Sequence, residues 1–128
     1  DVMNLPGPGA IAVRSPLQAP GNIATFEAAV EEPERKLDFS CVGDYAREQF
    51  TIRLPPDLKV LAIPRDVEFT LGYQSYKASY HRDGNTVTVD RQITDVTPGP
   101  VCGPAVGAQY KSFATRVRKD LRAQILYE

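Results

Sequence analysis

A turn dipeptide between two alternating segments places the tightest constraint on how this chain can fold. Asp83-Gly84 stands between two runs in which apolar and polar residues alternate, the pattern of strands with one buried face. The apolar positions of the two runs are Tyr76, Ala78, Tyr80, Val87, Val89 and Ile93. Asp-Gly favours a type I′ turn, which needs positive φ at both central residues and joins antiparallel strands. The sequence therefore predicts a β-hairpin that turns at Asp83-Gly84.

Shorter alternating or β-prone runs surround this hairpin. They predict strands in residues 37–41, 50–54, 59–63 and 67–71, with a weaker one in 22–30. Pro55-Pro56 and Pro64 end two of these runs, because proline has no N–H to donate to a ladder. Gly72 predicts a bulge or bend before the first long strand of the hairpin.

The end of the chain changes from strand to helix periodicity. Pro104 suits the first position of a helix, where a missing N–H costs nothing. One apolar stripe then recurs at helical spacing and comprises Tyr110, Phe113, Ala114, Val117, Leu121 and Ile125. The opposite face is basic and carries Lys111, Arg116, Arg118, Lys119 and Arg122. These spacings predict an amphipathic helix over about 104–126.

Length and element order together predict the fold class. The chain has 128 residues, 42% of them hydrophobic, which suits one domain with its own core. Five to seven strands precede one helix without the strand–helix alternation of a parallel sheet. We expect a mainly β protein, an antiparallel β-sandwich-like domain with one amphipathic C-terminal helix. Residues 1–21 are predicted as an irregular Pro/Gly-rich entry segment with a short edge strand at 10–13, and residues 22–128 as the single domain.

Charge and hydropathy limit the classes of partner. With 15 basic and 16 acidic residues, the sequence predicts no binding to nucleic acid. No apolar run reaches the roughly 20 residues of a membrane span, so we expect a protein that is not membrane-embedded. Because the chain starts at Asp1 without a Met or a signal-like stretch, it is expected to be a processed protein or an excised domain.

The residue types that catalysis requires are scarce. Cys41 and Cys102 lack metal-ligand spacing; they are either one disulfide or two buried thiols. His81 is the only histidine, so a cysteine-dependent hydrolase would have to use Cys41 with His81. The strand phase turns His81 outward and Cys41 inward, which argues against that pairing. We therefore predict no catalytic, cofactor-binding or metal-binding residues and no cofactor.

Binding by an exposed surface is the other possibility that the residues allow. Tyr76 and Tyr80 share the core phase, whereas Tyr73 does not and is the candidate exposed contact. The basic face of the helix is a second surface that an acidic partner would fit. A carbohydrate- or peptide-binding β module is therefore an alternative function.

The segment from about residue 50 to 128 also resembles a known family. The runs "IRLPPDLKVLAIPRDVEF", "YQSYKASYHRDGNTVTVDRQI", "PVCGP" and "YKSFATRVRKDLRAQILYE" are similar, in this order, to the C-terminal β-rich domain of bacterial exported transglutaminase-like multidomain proteins. In that family a papain-like core precedes this domain, whose function is unknown. The resemblance implies a non-catalytic accessory or interaction domain, whose partner is a neighbouring domain of the same polypeptide or another protein. It also implies a periplasmic or otherwise exported location, which favours a Cys41–Cys102 disulfide.

Overall fold

The computed structural model describes residues 8–13, 33–34 and 36–128, and in these ranges the chain is mainly antiparallel β-structure with one helix near its C-terminus. This confirms the predicted fold class. The strands within these ranges are β1 (Gly9–Ala12), β2 (Phe39–Ser40), β3 (Asp44–Arg53), β4 (Val60–Ala62), β5 (Val67–Leu71), β6 (Gln74–Asp83), β7 (Thr86–Asp95), β8 (Val101–Cys102) and β9 (Gln124–Tyr127). The helix α1 (Pro104–Leu121) lies between β8 and β9. The prediction for 22–30, and most of the entry segment 1–21, lie outside the described residues.

The central sheet has four strands in the order β3-β7-β6-β5, and the predicted hairpin forms its middle. Asp83 pairs with Thr86, so the turn residues are Gly84 and Asn85. Of these two turn residues, only Gly84 has positive φ, +58°. A glycine with positive φ in the first of the two positions is typical of a type II′ turn. The expected type I′ geometry was therefore wrong. Asn85 instead uses its side-chain amide to donate hydrogen bonds of 2.8 and 2.6 Å to the carbonyls of Pro55 and Leu58.

A second two-residue turn lies where a bulge or bend was predicted. Gly72 and Tyr73 connect Leu71 to Gln74, which are paired in the β5–β6 ladder. Gly72 also has φ of +58°. Gly72 therefore forms part of a hairpin turn between β5 and β6 and not the predicted bulge or bend.

The remaining strands form two small sheets, one of which shares the core of the central sheet. A three-stranded sheet has the order β1-β9-β4, and β1 lies at its edge, close to the strand predicted at 10–13. Buried side chains from this sheet, from the central sheet and from α1 make one cluster, which gives the fold its sandwich-like character. Representative members are Val13, Val60, Tyr76, Val89, Phe113, Val117 and Ile125.

The helix buries the predicted stripe but ends earlier than expected. Phe113, Ala114 and Val117 are fully buried, and α1 ends at Leu121 instead of near residue 126. The chain reverses there, with the Ala123 N–H donating to the Asp120 carbonyl at 2.9 Å. Ile125 is buried on β9, which pairs with β1 and β4. Its spacing fits a helical stripe as well as a strand, and tertiary pairing decides between them.

The predicted strand at 37–41 shrinks to Phe39–Ser40, which pairs with β8 in a two-stranded ribbon. Leu37 is 80% exposed, so its apolar phase does not mark a buried face. The next strand, β3, starts at Asp44, six residues before the predicted start at 50. The prediction missed its first half because hydropathy alternates less clearly there.

Candidate functional site

Three polar residues form a row across one end of the central sheet. Asp44 on β3 pairs with Asp95 on β7, and Asp95 pairs with Gln74 on β6. Residues directly opposite in an antiparallel ladder share a face. The neighbouring row, Ala46, Ile93 and Tyr76, is buried in the core, so Asp44, Asp95 and Gln74 lie on the core-facing side, at its margin.

Hydrogen bonds hold this row in one arrangement. The Gln74 side-chain nitrogen donates to Asp95 Oδ1 at 3.2 Å and to Thr97 Oγ1 at 3.0 Å. Asp95 Oδ1 also accepts from the Thr97 N–H at 2.9 Å and from the Thr97 hydroxyl. Because a carboxylate can only accept, the amide nitrogen of Gln74 must face it and the amide oxygen must point elsewhere.

The oxygen of that amide is unpaired. Gln74 is only 1% exposed, and its Oε1 is a buried polar side-chain atom without a hydrogen-bond partner. A buried acceptor without a donor is costly, about 1–3 kcal/mol, and such atoms are uncommon in native proteins. Gln74 also lines a cleft among the described residues, so the unpaired acceptor belongs to a residue at the cleft wall.

This cleft has a volume of about 950 Å³ and lies between the two-stranded ribbon and the N-terminal half of α1. Its apolar lining includes Phe39, Val42 and Tyr110. Its charged lining consists of the carboxylates of Glu34, Asp44 and Asp95 and the ammonium group of Lys111. The cleft therefore combines apolar walls with an acidic floor.

A disulfide fixes the ribbon that forms one wall. Cys41 and Cys102 are bonded, with Cα atoms 5.9 Å apart, which confirms the predicted pairing. The Cys41 N–H also donates to the Pro100 carbonyl at 3.0 Å. The chain passes so closely here that a Cβ on Gly99 would lie 2.5 Å from the Cys41 carbonyl oxygen. The wall is thus held by a covalent bond and by close backbone contact.

The structure separates the two residues of the hypothetical catalytic dyad. A Cβ on Gly43 would lie 2.5 Å from the Asp95 carbonyl oxygen, which places Cys41 near the Asp95 end of β7. His81 pairs with Thr88, seven positions from Asp95, and at about 3.3 Å per residue this corresponds to roughly 20 Å. His81 is exposed and the Cys41 sulfur is already bonded to Cys102. The described residues also hold no cluster of three or more His, Cys, Asp or Glu side chains arranged for a metal ion.

Tyr73, the predicted contact residue, lies near the same end of the molecule as the cleft. It is 40% exposed, and its carbonyl accepts a hydrogen bond of 2.9 Å from the Val96 N–H. Most of the large exposed apolar side chains of the described residues lie at this end. We call this set the apolar end: Leu37, Val42, Tyr45, Tyr73, Val96 and Val101. Leu61 and Leu126 are exposed on the three-stranded sheet instead.

A buried ionic cluster, which the sequence reasoning missed, joins the sheet to the helix. Arg91 is 0% exposed and donates to the Val13 carbonyl at 2.8 Å and to Glu48 at 3.3 Å. It also donates to the Tyr80 hydroxyl, which in turn donates to Asp120. The Tyr76 hydroxyl donates to the same carboxylate oxygen. The signal was available: Arg91 occupies the apolar phase of Val87, Val89 and Ile93.

This cluster changes the acidity of its tyrosines. Burial is the main cause that raises the pKa of Tyr76 and of Tyr80 well above the usual value, and the Asp120 carboxylate raises both further. Burial alone would lower the pKa of Arg91, but the nearby oxygens of Tyr80, Tyr76 and Asp120 raise it overall. These enclosed groups join β6, β7 and α1 through hydrogen bonds.

Comparison with known proteins shows the fold and does not identify a family. No protein-family model and no curated protein matches the chain. A solved structure, that of a "putative protease" from Parabacteroides distasonis, superposes over 96% of this chain with a TM-score of 0.70 and 14% identity. The chain spans only 24% of the length of that protein. The class thus defined is a mainly β domain whose fold also occurs as one part of a longer polypeptide.

Proposed function

We propose that this chain is a non-catalytic accessory or interaction domain of an exported, transglutaminase-like protein. The observation that carries the proposal is the superposition of nearly the whole chain on one quarter of a longer protein. That longer protein is described as a "putative protease", and the sequence resemblance separately implies a papain-like core next to this domain. In this view the chemistry belongs to a neighbouring domain.

Two features of the chain support export and an interaction role. Structural disulfides persist mainly in oxidising compartments such as the bacterial periplasm, and the Cys41–Cys102 bond fits such a location. Apolar side chains concentrated at one end of a domain are typical of a contact surface. No helix in the described ranges is long and apolar enough to cross a membrane.

The geometry gives little support to the alternative of a hydrolase. A thiol nucleophile needs a free thiolate and a base within hydrogen-bond reach. Cys41 is disulfide-bonded and lies at the opposite end of the sheet from His81. A peptide-binding module is the better second candidate, because the acidic cleft contains an unpaired acceptor at Gln74.

The full-length gene product tests the proposal. The coding region before Asp1 is expected to encode a transglutaminase-like core, and the longer protein is expected to incorporate a fluorescent amine into casein. The 128-residue chain alone is expected to be inactive in the same assay. An upstream region without such a core, or activity in the isolated chain, would overturn the proposal.

A matched pair of surface variants tests the interaction role. Supplied as a separate chain, the domain should bind the upstream core, and calorimetry measures the affinity. Val101→Lys, at the apolar end, is expected to weaken binding about tenfold, since a charge is inserted into an apolar contact. Leu126→Lys changes an exposed apolar residue on the three-stranded sheet and is expected to leave binding unchanged. Equal effects of the two variants would contradict the assignment of the apolar end.

A further inference from the structure

We propose that the cleft between the two-stranded ribbon and α1 binds a cationic side chain, with arginine the best fit, from an apolar segment of a partner polypeptide. The inference rests on the proposed interaction role and names the chemistry of the partner. Three independent observations support it: an unpaired buried acceptor, an excess of negative charge and apolar walls.

The acceptor is Gln74 Oε1. The Asp95 carboxylate and Thr97 fix the orientation of the amide, so the oxygen cannot exchange places with the nitrogen without facing Asp95. The side chain lines the cleft and is 1% exposed, yet this oxygen has no donor. A ligand that brings an N–H group to this position removes the cost of an unpaired buried acceptor.

The charge of the cleft favours a cation. Asp44 and Asp95 are opposite each other in the β3–β7 ladder, and like charges in such positions repel. Neither of them forms an ion pair within the described part of the chain, whereas Asp90 and Glu48 pair with Arg47 and Arg91.

The other charges at the cleft do not remove this excess. Lys111 is the one cationic group among the described lining residues, against the three carboxylates of Glu34, Asp44 and Asp95. The N-terminus of α1 adds the equivalent of about half a positive charge. The cleft therefore remains negative and suits a bound cation.

The arrangement favours an organic cation over a metal ion. Asp95 Oδ1 already accepts hydrogen bonds from Gln74 and from Thr97. A metal ion bound to this oxygen would therefore lie close to the positive ends of these N–H and O–H groups. Calcium needs six to eight oxygen ligands. A guanidinium group offers five donors in a planar fork, which suits oxygen acceptors such as the Asp44 carboxylate and the Gln74 amide oxygen.

The walls indicate what surrounds the cation. Phe39 and Tyr110 line the interior of the cleft, and Val42 lines it while remaining 78% exposed. Leu37 and Val101, 80% and 62% exposed, belong to the same ribbon region of the apolar end. A segment with apolar residues on either side of its cationic residue would cover these side chains.

Two capped peptides provide the test: acetyl-Leu-Arg-Leu-amide and the same peptide with citrulline in place of arginine. Citrulline keeps the planar shape of arginine but has no charge, and because an oxygen replaces one terminal nitrogen it has fewer N–H donors than the five of arginine. In nitrogen-15-labelled protein, the arginine peptide is expected to shift the Gln74 side-chain amide resonance and to bind about tenfold more tightly than the citrulline peptide. A lysine peptide is expected to bind with intermediate affinity.

Matched acid-to-amide variants locate the site. Asp44→Asn is expected to weaken binding of the arginine peptide about fivefold, and it removes only an exposed charge, so the fold is kept. Asp83→Asn, exposed at the hairpin at the far end of the sheet, is expected to have no effect. Equal affinity for the two peptides, or an Asp44→Asn variant that binds normally, would overturn the inference. So would a Gln74 shift caused by calcium chloride but not by the arginine peptide. None of these results alters the expectation of a core upstream of Asp1, which is tested separately.

Discussion

The Tyr80 hydroxyl on β6 donates a 2.7 Å hydrogen bond to Asp120 Oδ2 on α1 and accepts hydrogen bonds from Arg91 on β7. One oxygen atom thus connects a buried cation to a buried anion. The Arg91 Nε lies 3.9 Å from the same Asp120 oxygen, so the tyrosine is the closer polar link between the two charges. Buried ion pairs are tolerated only where such hydrogen bonds satisfy their remaining polar atoms.

Removal of this link tests its contribution to stability. Tyr80→Phe is expected to lower the free energy of unfolding by about 1–3 kcal/mol, because it leaves Arg91 donors and an Asp120 oxygen short of a partner. Urea unfolding measures the change. Tyr73→Phe removes a hydroxyl from a partly exposed turn residue and is expected to change the free energy by less than about 0.5 kcal/mol. Similar losses in the two variants would show that the cluster contributes nothing specific.

The raised pKa values of Tyr76 and Tyr80 predict a loss of stability in alkali. In the unfolded chain both hydroxyls lose their protons above about pH 10, whereas in the folded protein they stay protonated. Above that pH the unfolded state binds fewer protons, so stability falls as pH rises, by up to about 1.4 kcal/mol per pH unit for each tyrosine. Below about pH 10 this contribution is fully present.

Urea unfolding at a series of pH values measures that slope. The wild-type protein is expected to show nearly constant stability from pH 8 to about pH 10 and a steep decline above it. The Tyr76→Phe/Tyr80→Phe double variant is expected to be less stable at neutral pH but to lose little more in alkali. A wild-type curve that stays flat to pH 11 would contradict the burial of both hydroxyls in an anionic environment.

The sequence predicts most of the strands well because their signals are local. The alternation around Asp83-Gly84 placed β6 and β7, and Pro55-Pro56 and Pro64 bracketed β4. Ile125 was assigned wrongly because one residue satisfies two periods, and only pairing with β1 and β4 decides between them.

The polar residues show a different limit. Arg91 and Asp120 interrupt apolar patterns, and a single sequence does not show that two such interruptions, 29 positions apart, meet in the core. The same holds for the acidic row of the cleft. Asp44, Asp95 and Gln74 come together only through the register of three strands. Residues of this kind are identified from the fold, not from local patterns.

The Cys41–Cys102 disulfide is expected to account for a large share of the stability. The two residues are 61 positions apart, and chain-entropy arithmetic gives about 4 kcal/mol for a loop of that length. Reduction with dithiothreitol is therefore expected to lower the free energy of unfolding by up to this amount, as measured by urea unfolding. The Cys41→Ala/Cys102→Ala variant should match the reduced protein and should not respond to dithiothreitol.

Hydrogen exchange separates a local effect of the disulfide from a global one. The Cys41 N–H, bonded to the Pro100 carbonyl, should lose protection on reduction, because the β2–β8 pairing of the ribbon is just two residue pairs long. The amides of the long β6–β7 ladder should still exchange only through global unfolding after reduction. If the Cys41 amide stays protected in the reduced protein, the ribbon does not depend on the disulfide. The cleft wall would then be set by the close backbone contacts at Gly43 and Gly99.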